Sequence, residues 1–259
     1  MKYALIVGIN KYQMSGCDLN GCVNDADKMY NLCRIYGFDE IKVLTDEAAT
    51  QENIILNLTS MVNNTAAGDE VFYAHSGHGT QVVDMDGDEV DGLDECIVPY
   101  DHDWDRPFTD DRLASCLRNL HNEAYLSVLI DACHSGSATD NIVKNIVMPE
   151  SMRKLVIGKS LRKNYFGVKN SNPTTQRHIL LAGCKDNEYS YELQFGNKSY
   201  GALTFLFEKT IRSKAFRNSN WNRIFRSAYR RVVRKTGNAQ HPVLSGETNL
   251  KKRIIFSGM

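Results

Sequence analysis

Two stretches decide the reading of this chain: Val71-Phe72-Tyr73-Ala74-His75-Ser76-Gly77-His78-Gly79 and Leu126-Ser127-Val128-Leu129-Ile130-Asp131-Ala132-Cys133-His134-Ser135-Gly136. Each is an apolar, β-prone run that stops at a glycine-flanked turn, the place where a parallel α/β sheet presents reactive groups. A histidine and a cysteine delivered to neighbouring strand ends would form a thiol–imidazole dyad. The imidazole takes the thiol proton and the thiolate attacks a carbonyl carbon, which splits acyl transfer into two easier steps.

Outward from these runs, strands alternate with helices. The first strand is expected over Tyr3 to Ile9, nearly continuously apolar as in a strand covered on both faces. A helix follows over Val23 to Tyr36, closed by Gly37, then a short strand from Glu40 to Leu44. Ile54, Ile55, Leu58 and Val62 give Thr50 to Asn63 helical spacing. Further strands are expected at Cys96 to Pro99, Ala124 to Asp131, His178 to Gly183 and Arg253 to Phe256. Helices are expected at Asp110 to Leu120, Tyr200 to Arg212 and Trp221 to Lys235. This alternation predicts right-handed crossovers and a mainly parallel sheet. Residues 137–177 break the rhythm. They are rich in Asn, Ser and Lys, contain Pro149 and Pro173, and read as a long surface loop.

Composition narrows the class. A chain of 259 residues, 42% apolar and 24% charged, is an ordinary soluble globule. With 31 basic and 31 acidic residues it has no global pull toward nucleic acid or acidic membranes. The charges are unevenly placed, however: acids crowd residues 84–111, and bases crowd 209–235. Within Trp221 to Lys235, the apolar Ile224, Phe225, Ala228, Val232 and Val233 keep a core face, so the bases read as a solvated face. Seven scattered cysteines without a Cys-x-x-Cys point to a reducing compartment. The opening apolar run is too short for a signal peptide, and no stretch approaches the ~18–20 apolar residues of a membrane span. A cytoplasmic location is the expectation.

Within the two stretches, Cys133 lies beyond its apolar run, in a turn unsuited to core packing, and is the candidate nucleophile. His78 is the candidate base, because Gly77 and Gly79 free its backbone while His75 still belongs to the strand. Gly79 and Gly136 are placed to leave N–H groups open to a developing oxyanion. Zinc held by His75, His78, Cys133 and His134 fits poorly, since the paired ligand spacing is missing.

Ser76-Gly77-His78-Gly79 and Asp131-Ala132-Cys133-His134-Ser135-Gly136 resemble the histidine and cysteine boxes of the metacaspases, within the caspase-like cysteine peptidases. Gly21-Cys22-Val23-Asn24-Asp25 and the segment from Asp84 to Glu95 resemble two further boxes, and the likeness runs in order from about Tyr3 to about Thr204. The animal-caspase pattern Gln-Ala-Cys-x-Gly is absent, although His78 precedes Cys133 by 55 positions, close to the caspase spacing. The resemblance implies an α/β, caspase-like three-layer sandwich: a mainly parallel central sheet flanked by helices. It divides one catalytic domain into a large-subunit-like part (1–136), a linker (137–177) and a small-subunit-like part (178–259). It also implies a monomer.

The resemblance places Cys22, Asp25, Ser76 and Asp131 in the pocket for the side chain preceding the scissile bond. Two carboxylates favour a cation there, which predicts protein or peptide substrates cut after Arg or Lys rather than Asp. It also implies Ca²⁺ as an activator held by Asp94, Asp110, Asp111 and Asp140; the Asp-rich run lacks the Glu spacing of an EF-hand. Basic residues such as Lys144, Arg153 and Arg162 make 137–177 a candidate for self-cleavage. Two rivals share these features: a catalytically weak regulatory module, and a transpeptidase-like ligase with the same dyad. A nucleotide-binding fold does not fit, because Gly8-Ile9-Asn10-Lys11 is no phosphate loop.

Overall fold

The computed structural model describes residues 1–85, 92–132, 178–185 and 188–257. The 137–177 segment, with Cys133, Gly136 and Asp140, lies outside them. The central strands are β1 (Lys2–Gly8), β2 (Glu40–Thr45), β3 (Glu70–Ser76), β7 (Tyr125–Asp131), β8 (His178–Ala182) and β11 (Val243–Gly246). Their order is β11-β8-β7-β3-β1-β2, and every neighbouring pair is parallel except β11 with β8. A small antiparallel sheet joins β4 (Gly79–Val83), β5 (Leu93–Ile97) and β6 (Phe108–Thr109). A separate hairpin pairs β9 (Glu192–Phe195) with β10 (Lys198–Gly201).

Period-two alternation divides the core into two layers. On one face Leu5, Val7, Val71, Tyr73, Val128 and Ile130 pack with α2 (Gln51–Asn63) and α3 (Asp110–Leu117). On the other, Ala4, Ile6, Phe72, Ala74 and Leu129 meet α1 (Cys22–Ile35), α4 (Ala202–Ile211) and α5 (Trp221–Lys235). Covered on both sides, β3 is buried at all seven positions, which is why its sequence shows a continuous apolar run. The result is a sheet between two helical layers, as expected.

Side-chain caps set several helix starts. Thr50 and Thr109 accept the Asn53 and Arg112 amides, and Asn220 accepts that of Arg223. Helix α1 has no such local cap at Gly21. Its first amides are held by distant groups instead: Asn10 Oδ1 accepts Cys22 N at 2.8 Å, and Glu192 Oε1 accepts Gly21 N at 2.6 Å. These contacts fix the first turn of α1, which carries Asp25, against the end of the sheet.

The C-terminal part corrects two expectations. Arg253 to Phe256 is not a strand: a short helix α6 (Thr248–Lys251) precedes it, and its pairing is one isolated bridge from Ile254 to Asn220. Its apolar residues serve the core, because Phe256 packs against Phe38, Phe72 and Trp221. The edge strand is Val243–Gly246, short and half-buried, with Pro242 just before it. Tyr200 belongs to β10 rather than to the helix, which starts at Ala202. The hairpin has a legible signal, the two-residue turn Gly196-Asn197 with positive φ at Gly196.

Phe72 is fully buried, with its ring 5.0 Å from that of Phe256. Phe72→Ala is expected to lower unfolding free energy by about 3–5 kcal/mol in urea titration. A loss below ~1 kcal/mol would contradict this packing.

Candidate active site

Three parallel strands end at one level: Gly8 lies opposite Ser76, and Ser76 opposite Asp131. His78 follows two residues after β3 and is held on three sides. Its backbone N–H donates to Tyr12 Oη at 2.8 Å, and the Tyr12 ring lies 5.0 Å from the imidazole. Its carbonyl accepts Val98 N–H at 3.0 Å. Its Nε2 lies 2.8 Å from the Cys17 carbonyl. A carbonyl can only accept, so Nε2 carries the hydrogen and neutral His78 has its lone pair on Nδ1. Burial pulls the His78 pKa below the usual histidine value, against the Cys17 carbonyl and the Glu192 charge, which raise it.

The Val98–His78 bond also marks the Gly79–Ile97 pair as non-hydrogen-bonded, so β5 does not consume the Gly79 N–H. His75 is fully buried beside Tyr73 and near Tyr12, with a pKa lowered to about 3 by burial. An imidazole so deep in the core is a poor proton carrier.

Beside His78, two carboxylates are sunk at the strand ends. Asp25 and Asp131 are 1% and 5% exposed. Asp25 Oδ2 accepts Ser76 Oγ at 2.8 Å and Gly201 N at 2.9 Å. Asp131 accepts Ser190 Oγ at 2.5 Å and both the N–H and hydroxyl of Thr204 at 2.8 Å. Gly201 sits between them: a methyl built on it would run into Asp131 and lie 2.9 Å from Asp25 Oδ2. Burial pushes both carboxyls above the usual range, and the charge of Asp131 pushes Asp25 further. Among the described residues Asp25 Oδ1 is buried without a hydrogen-bond partner.

Cys22 and Ser76 complete the group. Ser76 orients Asp25, and Cys22 lies with its sulfur 3.9 Å from Glu192 Oε1. Burial raises the Cys22 thiol well above its usual range, and Asp25 adds to this, so Cys22 remains a neutral wall. The structure thus gathers Cys22, Asp25, Ser76 and Asp131. Glu192, Tyr12, Ser190, Gly201 and Thr204 are additional members that sequence reasoning missed.

Of the four expected cation ligands, Asp94 and Asp110 both lie near Cys96. β5 pairs Cys96 with Thr109, which brings Asp94 close to the start of α3 at Asp110 and Asp111. Asp94 and Asp110 are buried, at 7% and 6% exposure. Burial raises the Cys96 thiol, and the charges of Asp94, Asp110 and Glu95 raise it further, so their fields converge there. Hard carboxylate oxygens on adjoining elements suit Ca²⁺. Among the described residues, no three such ligands close a metal site by themselves.

Comparison with known proteins follows the same lines. The chain is 31% identical to Metacaspase-1 of Schizosaccharomyces pombe over 252 residues, covering 80% of this chain and 59% of that one. It therefore spans about three fifths of that relative. A crystal structure of a Geobacter sulfurreducens protein superposes with TM-score 0.70 at 24% identity, covering 100% of this chain and 99% of that one. The Drosophila initiator caspase Dronc superposes at 0.61 with 12% identity, covering 98% and 82%. At those identities the two structures speak for the caspase fold alone. A family model described as metacaspase, peptidase C14 domain, matches residues 2–142, more than half of the sequence. The chain belongs to the metacaspase family of caspase-like cysteine peptidases.

Proposed function

We propose that the chain is a cysteine endopeptidase that cleaves after Arg or Lys. The observation that carries this reading is the buried Asp25–Asp131 pair beside His78, with Asp25 Oδ1 unpartnered among the described residues. Burial raises both carboxyls, Asp131 raises Asp25 further, and a cation relieves them; a guanidinium or ammonium supplies it with hydrogen bonds. Glu192, at the exposed rim, adds a third negative charge that steers such a side chain inward.

His78 Nδ1 takes the thiol proton of Cys133, and the sulfur bonds to the substrate carbonyl carbon. The oxyanion is met by the N–H groups of Gly79 and Gly136. Collapse breaks the C–N bond, and the leaving amine takes the proton from His78. A water molecule then gives a proton to His78 and attacks the thioester, and the proton returns to sulfur as the acid product leaves. The Cys17 carbonyl holds the imidazolium through Nε2–H during each transfer, and Tyr12 fixes its backbone.

Residues 137–177 form a linker whose Lys and Arg are targets of self-cleavage. Asp94, Asp110, Asp111 and Asp140 hold Ca²⁺, which neutralises the crowded acids around β5 and α3. The protein acts as a cytoplasmic monomer on protein substrates.

Fluorogenic Arg and Lys peptides are expected to be turned over, and the matching Asp peptide left intact. Cys133→Ala and His78→Ala should each cost about 10³-fold or more in kcat/KM, and Asp25→Asn should chiefly raise KM. Turnover of the Asp peptide alone would sink the pocket argument. Imidazole ¹⁵N shifts should show His78 as the neutral Nε2–H form, protonating below the usual histidine value of 6.5. Because the unfolded chain binds those protons first, the contribution of His75 and His78 to stability is full above ~6.5 and falls as pH drops. An Nδ1–H tautomer would contradict the Cys17 contact. Calcium should raise the thermal midpoint of the Cys133→Ala protein and lose that effect in Asp94→Asn; an unchanged midpoint would remove calcium from the account.

A further inference from the structure

Peptide-bond cleavage makes no use of the outer face of α5. This helix carries Arg223, Arg226, Arg230, Arg231 and Arg234 and no acidic residue. Spacings of three and four residues align Arg223, Arg226, Arg230 and Arg234 on one exposed face, opposite the buried Ile224, Ala228 and Val232. The five arginines line an open groove of about 770 Å³ that ends at Phe216. Arg223 is anchored there, donating to the Ala215 carbonyl at 3.2 Å with its guanidinium 5.4 Å above the Phe216 ring.

Among the described residues none of the five pairs with a carboxylate. The chain holds as many acids as bases. This groove is therefore a local concentration of uncompensated charge whose members repel one another.

We propose that this groove binds an Asp/Glu-rich segment of a partner protein, independently of the peptidase reading. The arginine forks suit paired hydrogen bonds to carboxylates. From Arg223 to Arg234 the line of charge runs about 16 Å, the reach of about five extended residues. Nucleic acid fits less well. The chain lacks the basic excess of nucleic-acid-binding domains, with a pI near 7.0. Arg223 lies over the Phe216 ring in the groove, and Phe225 packs against Tyr229, so these rings are not free platforms for stacked bases.

Fluorescence anisotropy with a labelled octaglutamate peptide tests this on the full chain. The peptide contains no Arg or Lys, so cleavage does not interfere. Binding is expected, weakening from low to physiological salt. It should fall about tenfold or more in the triple variant Arg226→Gln/Arg230→Gln/Arg234→Gln, with the thermal midpoint unchanged. Absence of binding, equal binding by the triple variant, or tighter binding of single-stranded RNA or phosphatidylserine vesicles would each overturn the proposal.

Discussion

The parallel register of β1, β3 and β7 is the constraint on which the rest depends. It sets Gly8, Ser76 and Asp131 side by side at the carboxyl edge of the sheet. Slipping one strand by a single residue would turn its buried row to the other face and carry Ser76 or Asp131 away from Asp25. Both faces are packed by helices, so the apolar core itself enforces the register. Gly8 adds a local demand, since a Cβ there would collide with the Cys22 carbonyl and Ala26. Close approach of β1 and α1 is what brings Asp25 over the strand ends.

The Asp25–Asp131 cluster is built from both sides of 137–177 in the sequence. Asp25 comes from α1, Ser76 from β3 and Asp131 from β7, whereas Ser190, Gly201 and Thr204 follow β8. Buried carboxylates are costly unless hydrogen-bonded, and most of their donors come from the C-terminal part. Pairing of β7 with β8 ties the two parts together through the central sheet. These hydrogen bonds join residues outside 137–177. Self-processing of the kind proposed is thus compatible with a carboxylate cluster that persists afterwards.

Much of this was legible in the sequence, for identifiable reasons. The β1, β3 and β7 runs are continuously apolar because both faces are covered, and their ends are marked by glycine-flanked turns. Asp25 and Asp131 could be paired only through the family resemblance, since nothing local brings residues so distant in sequence together. Glu192, Ser190 and Thr204 were missed because they act across the fold, capping α1 or donating to Asp131 without any motif of their own. Tyr12 and the Cys17 carbonyl were invisible for a related reason: a loop carbonyl has no side-chain signature. A last strand is expected at Arg253 to Phe256 because Ile255 and Phe256 have β-prone character, which the core uses instead.

The most direct measurement is a crystal structure of the protein inactivated by an arginyl chloromethylketone peptide. The account predicts a covalent bond from the inhibitor to Cys133 Sγ, His78 Nδ1 facing that sulfur, and the guanidinium between Asp25 and Asp131. An adduct on another residue, or an arginine side chain directed away from both carboxylates, would contradict it.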